Sequence, residues 1–258
     1  RVVMCVCAYR EGELIPVTVP FLLDKVSGAV TYYHEQETME EVKLLNKYHQ
    51  FHESFPQRMV GGVFEGSMFP DFRRSDTLHV ITEMPLRLYN VIHLSGPKFY
   101  RYVRYKGPDN SYCNVAEVSF YEADSDTCYL KGRVIGTPNG KDGDWEHDYV
   151  NVYDGNPSTS FNHDEPDGGW SGLDLGRPRY ISKIVYTARN RENYIYPGEV
   201  YELFYASGGQ WHSMGKQIPT SDSLVYTVPK GALLYLKNHS GGVEERIFDY
   251  TDGVQRYW

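Results

Sequence analysis

The side chains that could do chemistry are scattered along the chain, and their spacing argues against catalysis. The nine histidines, at positions 34, 49, 52, 79, 93, 147, 163, 212 and 239, form no HExxH and no cluster with metal-ligand spacing. His49 and His52 lie close in sequence with His34 upstream, but no acidic partner joins them at a diagnostic distance. The chain has no GxSxG elbow, no P-loop, and no dinucleotide fingerprint between a strand and a helix. Cys113 opens what reads as a strand without a paired histidine, so a nucleophilic role is not expected. Asp164, Glu165 and Asp167 could offer a carboxylate to a hydrolase, since the acid and base of such enzymes need not be neighbours in sequence. A run of acids is more simply a solvated loop. The expectation is that this protein is not an enzyme.

Residue types suited to binding are better represented. Asp154-Gly155-Asn156 is a tight polar turn whose side chains either satisfy the local backbone or coordinate a hard cation through oxygen. A sugar is gripped by planar polar groups while an aromatic face covers its CH surface. Two loops carry that mixture: Trp145, Glu146 and His147 in residues 143–149, and Arg191, Asn193, Tyr194 and Tyr196 after a strand ending near Thr187. No strand periodicity around Trp145 asks for an indole there, which marks it for ligand contact. Trp170 precedes a core strand and Trp211 sits in the hairpin Gly209-Gln210-Trp211-His212, so both are expected to pack. Arg189 is expected to pair with Asp174 or a backbone carbonyl.

The elements that must position these groups are mostly strands. Among 258 residues there are 23 tyrosines beside 24 glycines and 14 prolines, aromatics favoured in strands mixed with the residues of turns. Short alternating runs at 98–105, 115–121, 181–186, 200–205, 224–228 and 233–236 are separated by turn signals such as Gly107-Pro108-Asp109-Asn110 and Ser207-Gly208-Gly209. These point to β-sandwiches. Residues 37–48 fit an amphipathic helix, although Val42, Leu44 and Leu45 fit a strand nearly as well. The polar stretch 123–127 sets the expected boundary between sandwiches at 1–124 and 125–258. A short echo, Gly61-Gly62-Val63-Phe64-Glu65 against Gly198-Glu199-Val200-Tyr201-Glu202, hints at internal similarity.

With 26 Lys+Arg against 34 Asp+Glu and a net charge of -8, the chain lacks the positive footprint that nucleic acid or anionic lipid requires. No apolar run approaches the roughly 20 residues of a membrane-crossing helix, so no membrane insertion is expected. The four cysteines lack CxxC spacing and read as structural thiols, with one bridge left open.

The run Val152-Tyr153-Asp154-Gly155-Asn156-Pro157-Ser158-Thr159-Ser160-Phe161, followed by Trp170-Ser171-Gly172-Leu173-Asp174-Leu175-Gly176, resembles the signature of discoidin domains. That family includes the coagulation factor V/VIII type C domains and many bacterial carbohydrate-binding modules. Residues 181–186, Ala188-Arg189-Asn190 and Tyr201-Glu202-Leu203-Phe204 resemble its following strands, and Tyr100-Arg101-Tyr102-Val103-Arg104-Tyr105 with residues 114–121 resembles its closing strands. The N-terminal half of the first domain departs from the pattern, lacking a DGN-type turn and the aspartate-leucine-glycine strand end. The resemblance implies an all-β fold of two jelly-roll, galactose-binding-like β-sandwich domains in tandem. It makes Trp145, His147, Arg191, Asn193 and Tyr194 the ligand surface, with Trp145 and Tyr194 exposed on one concave rim. It also implies a structural calcium held by Asp154, Asn156 through its carbonyl, Thr159, and Glu245 or Glu244.

Two such modules with the ending Arg246-Ile247-Phe248-Asp249-Tyr250 and Val254-Gln255-Arg256-Tyr257-Trp258 resemble C-terminal regions of large surface or periplasmic proteins of gut Bacteroidetes. The implied function is a non-catalytic carbohydrate-binding module of a larger exported protein, extracellular, on the cell surface or periplasmic. Its expected partners are a glycan and neighbouring domains of the parent. The alternative is a structural or protein-interaction module that positions a neighbouring domain without binding sugar.

Overall fold

A computed structural model gives the fold. It describes all residues except 1, 5–6, 11–12, 17–18, 34–35, 48–54, 97, 123–127, 140–146, 191–192, 242–244 and 258, and for 2, 7–10 and 13–16 the backbone alone. The chain is all-β, with no α-helix among the described residues.

In chain order the strands are β1 (Val2–Met4), β2 (Cys7–Arg10), β3 (Glu13–Pro16), β4 (Phe21–Leu23), β5 (Val30–Tyr32) and β6 (Met39–Leu44). Then come β7 (Val63–Ser67), β8 (Ser75–Val80), β9 (Asn90–His93), β10 (Phe99–Lys106), β11 (Val115–Tyr121), β12 (Arg133–Gly136), β13 (Trp170–Tyr180) and β14 (Lys183–Ala188). The last are β15 (Tyr201–Ser207), β16 (Gln210–Gln217), β17 (Leu224–Pro229), β18 (Leu234–Asn238), β19 (Ile247–Thr251) and β20 (Val254–Tyr257).

The strands fall into two compact units, Gln50–Arg191, and Arg1–His49 together with Glu192–Trp258. This corrects the division expected at residue 124. That position lies inside one unit, because β10 pairs with β13 and β11 with β14 across it. A polar stretch of sequence is as common within a sandwich as between two.

Unit Gln50–Arg191 is a sandwich of an antiparallel five-stranded sheet, β12-β13-β10-β7-β8, and a three-stranded one, β11-β14-β9. Period-two alternation sends one face of each strand inward. Phe64, Val103, Tyr105 and Leu173 from the larger sheet meet Val118, Phe120, Ile184 and Tyr186 from the smaller in one core. The ring of Phe64 lies 5.2 Å from Tyr105 and 5.3 Å from Tyr186. Burial pushes the Tyr186 phenol up to about 12, so it stays neutral and packs as an aromatic. Gly172 is required where β13 crosses β10, since a Cβ there would lie 2.3 Å from the Val103 carbonyl oxygen.

In the other unit β16-β15-β18-β19-β20 form a five-stranded sheet and β6 pairs with β17. Val42 and Leu44 join Tyr201, Leu203, Tyr226, Leu236 and Phe248 in its core. Residues 37–48, open to a helical or extended reading, therefore hold a strand. In β6, Val42 and Leu44 point inward while Glu41 and Lys43 stay exposed, and Tyr226 of β17 stands opposite Val42. The sequence echo has a structural counterpart too. Gly61 and Gly198 both adopt positive φ, +95° and +88°, just before β7 and β15, and their N–H groups donate to the carbonyls of Ile81 and Pro219.

Candidate functional site

Strand β11 is an edge of the smaller sheet of Gln50–Arg191 and β12 an edge of the larger one. Val118 and Phe120 of β11 enter the core, so Glu117, Ser119 and Tyr121 face the other way. Along these edges lies a cleft of about 730 Å³. Its apolar lining includes Val118, Leu173 and Val185, and its polar groups include Glu117, Ser119, Lys131 and Asp154. Tyr89 and Tyr129 in its wall are 42% and 51% exposed. The Tyr121 and Tyr129 rings meet edge to face at 6.3 Å. Lys183 lies 4.2 Å over Tyr121 and Lys131 lies 5.6 Å over Tyr129, so cations brace the aromatic wall.

One end of the cleft carries a pair of carboxyl groups. Asp154 follows the short 3-10 segment Tyr149–Tyr153 and opens the polar turn, where Gly155 takes a φ of +81°. Asp154 Oδ1 accepts from the Asn156 N–H at 2.7 Å, while Glu117 Oε1 accepts from the Gly155 N–H at 3.0 Å. Desolvation, then the hydrogen bond and negative charge of Asp154, push the Glu117 carboxyl up to about 9. A carboxyl so shifted keeps its proton at neutral pH.

Thr159 Oγ1 sits 2.7 Å from Asp154 Oδ2 and 2.7 Å from the Asn156 carbonyl. A hydroxyl has one proton to give, so one of these oxygen contacts is left without a hydrogen. Such a cluster of oxygens around a carboxyl pair has the donor chemistry of a hard-cation site. Among the described residues no group of three or more His, Cys, Asp and Glu side chains is arranged to hold a metal. Any further ligands here would be the Asn156 carbonyl, the Thr159 hydroxyl and water.

Of the sequence-predicted surface, part lies outside the described residues and the rest is divided between the two units. Trp145, Glu146, Arg191 and Glu244 lie outside the described residues. His147 belongs to Gln50–Arg191, whereas Asn193, Tyr194 and Glu245 belong to the other unit. Tyr194 is 2% exposed and bridges Asn46, and Asn193 is also buried, so the exposed rim expected of Tyr194 is not formed. Its place just past a strand suggests a loop, but its backbone is drawn into pairing with the segment after β6. Asp154, Asn156 and Thr159 do converge, and within their own unit Glu117 is an acid beside them.

Arg189 packs beside His147. Its guanidinium lies 3.0 Å from His147 Nε2 and over the Phe55 ring, while Asp174 pairs with Arg101 at 2.9 Å. Trp170 packs against Phe72, and Trp211 against Tyr235. In the acidic loop Glu165 and Asp167 are exposed, and Asp167 accepts from the Asn110 N–H. Cys113 is a buried free thiol, held protonated by burial.

Sequence reasoning missed Glu117, Tyr89 and Tyr129. Glu117 left one signal: it is the single charged residue of β11, Val-Ala-Glu-Val-Ser-Phe-Tyr. The two tyrosines left none among so many. No protein-family model, curated protein or solved structure matches the chain.

Proposed function

We propose that the protein is a non-catalytic carbohydrate-recognition module and that the cleft along β11 and β12 takes the sugar. The observation that carries this is the cleft itself. Its volume of about 730 Å³ falls within the roughly 300–1,000 Å³ of small-molecule sites, and it sets exposed tyrosine faces beside Ser119, Lys131 and the Glu117–Asp154 pair. Ring faces cover the CH surface of a pyranose, and the polar groups fix its hydroxyls.

The carboxyl pair does not suit glycoside hydrolysis. The two groups of such enzymes stand about 5–5.5 Å or 6.5–9.5 Å apart to admit the anomeric carbon or a water. Glu117 and Asp154 each accept from a backbone amide of one turn, Gly155 and Asn156, and are close enough for Asp154 to raise the Glu117 carboxyl. They fit better as holders of a structural calcium, with Glu117, Asp154, the Asn156 carbonyl and Thr159 supplying oxygens. The ion would neutralise the pair and stiffen the turn beside the cleft.

The resemblance to discoidin domains supports this reading. The closing-strand run at 114–121 and the Asp154-Gly155-Asn156 signature belong to one unit, with the closing strand coming first along the chain. We read Gln50–Arg191 as such a module with its strand order rotated.

A glycan array probed in calcium-containing buffer tests the proposal. Wild type is expected to bind a related set of glycans, and Tyr129→Ala to lose most of that signal. The burial of Tyr194 favours a second reading, a structural or docking module without a sugar. A blank array with folded wild-type protein would establish that one instead.

A further inference from the structure

The other unit carries an aromatic row that its core does not use. In β15, Tyr201 and Leu203 enter the core, so Glu202 and Phe204 lie on the outer face. Register then places Tyr235 of β18 and Ser213 of β16 on either side of Phe204, and Ile247 of β19 beyond Tyr235. Trp211 stands opposite Ala206, whose small side chain leaves the indole room to reach across β15. The Phe204 and Tyr235 rings stack at 4.7 Å and 5°, and Trp211 meets Tyr235 at 4.8 Å and 89°. Trp211 is 41% exposed on a strand whose other outer residues are polar.

Cross-strand ring pairs stabilise a sheet, and that accounts for Phe204 with Tyr235. It gives no reason for an exposed indole at the end of the row. The border of the row is polar: Glu202 accepts from Ser213 Oγ at 2.6 Å, and its other oxygen lies 2.8 Å from His239 Nε2. Lys216 and Lys237 are the cross-strand partners of Glu202, and Glu245 lies close enough to act on Tyr235. Two carboxylates and two ammonium groups leave the border without net charge, which disfavours a nucleic acid, a polycation or an anionic surface. Apolar ring faces edged by hydrogen-bonding groups of no net charge complement a neutral sugar.

We infer that the outer face of β16-β15-β18 is a stacking platform for a neutral saccharide chain, with Trp211, Tyr235 and Phe204 covering pyranose faces and Glu202 and His239 contacting hydroxyls. This is a second surface, on the unit that does not contain the cleft, and it does not depend on the cleft binding sugar.

Native electrophoresis of the full chain in gels containing galactomannan, xyloglucan or mixed-linkage β-glucan tests it. Wild type is expected to be retarded by at least one of them. Trp211→Ala and Tyr235→Ala are expected to weaken retardation at least tenfold, and Trp211→Phe to recover part of it. Tyr129→Ala, which alters the cleft, is expected to leave this retardation in place, so failure of one site is distinguishable from failure of the other. Retardation unchanged in Trp211→Ala, or absent in folded wild type with all three polysaccharides, overturns the inference. So does a wild-type dimer that Trp211→Ala converts to monomer, because the row would then be covered by a second copy.

Discussion

The cleft of Gln50–Arg191 and the aromatic row of the other unit both use the outward positions of strands, yet they are built differently. The row needs only register: once β15 pairs with β16 and β18, Phe204, Tyr235 and Trp211 are neighbours. The cleft needs two sheet edges and the Asp154 turn together, and its carboxyl chemistry exists because Glu117 is half-buried beside Asp154. A surface made by register tolerates changes in its own side chains. One made by burial is coupled to folding stability and to pH.

The largest expected effect tests that coupling. Leu173→Ala removes a core residue that also lines the cleft, and it is expected to cost about 2–5 kcal/mol in denaturant unfolding. A loss well below that range would mean the cleft lining is not continuous with the core. Next, Asp154→Ala removes the acceptor for the Asn156 amide and a partner of Thr159. A cost of about 0.5–1.5 kcal/mol is expected, since both hydrogen bonds are exposed. Calcium should then no longer raise the melting temperature; a calcium response that survives would place the ion elsewhere.

The pH dependence sharpens the contrast. An unfolded glutamate releases its proton near 4.5, whereas Glu117 keeps it to about 9. Within that window the native state holds a proton that the unfolded chain has lost, so stability falls as pH rises and levels off above about 9. Melting temperature should decline over that range in wild type and decline less in Glu117→Gln. Calcium should reverse the trend, because ionising the pair then favours binding. An identical pH slope in the variant would remove Glu117 as the cause. The smallest effect is expected at the row, where Trp211→Ala should change stability by less than about 1 kcal/mol, since its side chain is exposed. A loss above about 3 kcal/mol would make Trp211 part of the core instead.

Much of the local structure was legible. The alternating runs at 98–105, 115–121 and 224–228 correspond to β10, β11 and β17 within a residue or so, and Ser207-Gly208-Gly209 makes the β15–β16 turn. Asp154, Asn156 and Thr159 could be read as converging because they fall in one short turn. The fourth oxygen donor could not, since Glu117 reaches the turn only when β11 is laid beside it. The proposed rim failed for the same reason: Tyr194 reads as a loop tyrosine until Asn46, far off in sequence, bridges it.

The sequence by itself determined that the chain is all-β, where β10, β11, β14, β15, β17 and β18 lie, and which face of each is apolar. These follow from period-two alternation and turn chemistry, properties of neighbouring residues. Tertiary structure alone decided that β6 joins β17, that residue 124 is no boundary, that Glu117 meets Asp154, and that three rings form a row. Each of those depends on strand pairing between distant segments and on how much water the pairing removes. Strand pairing leaves no local periodic mark, and the water it removes is fixed only when the sheets close.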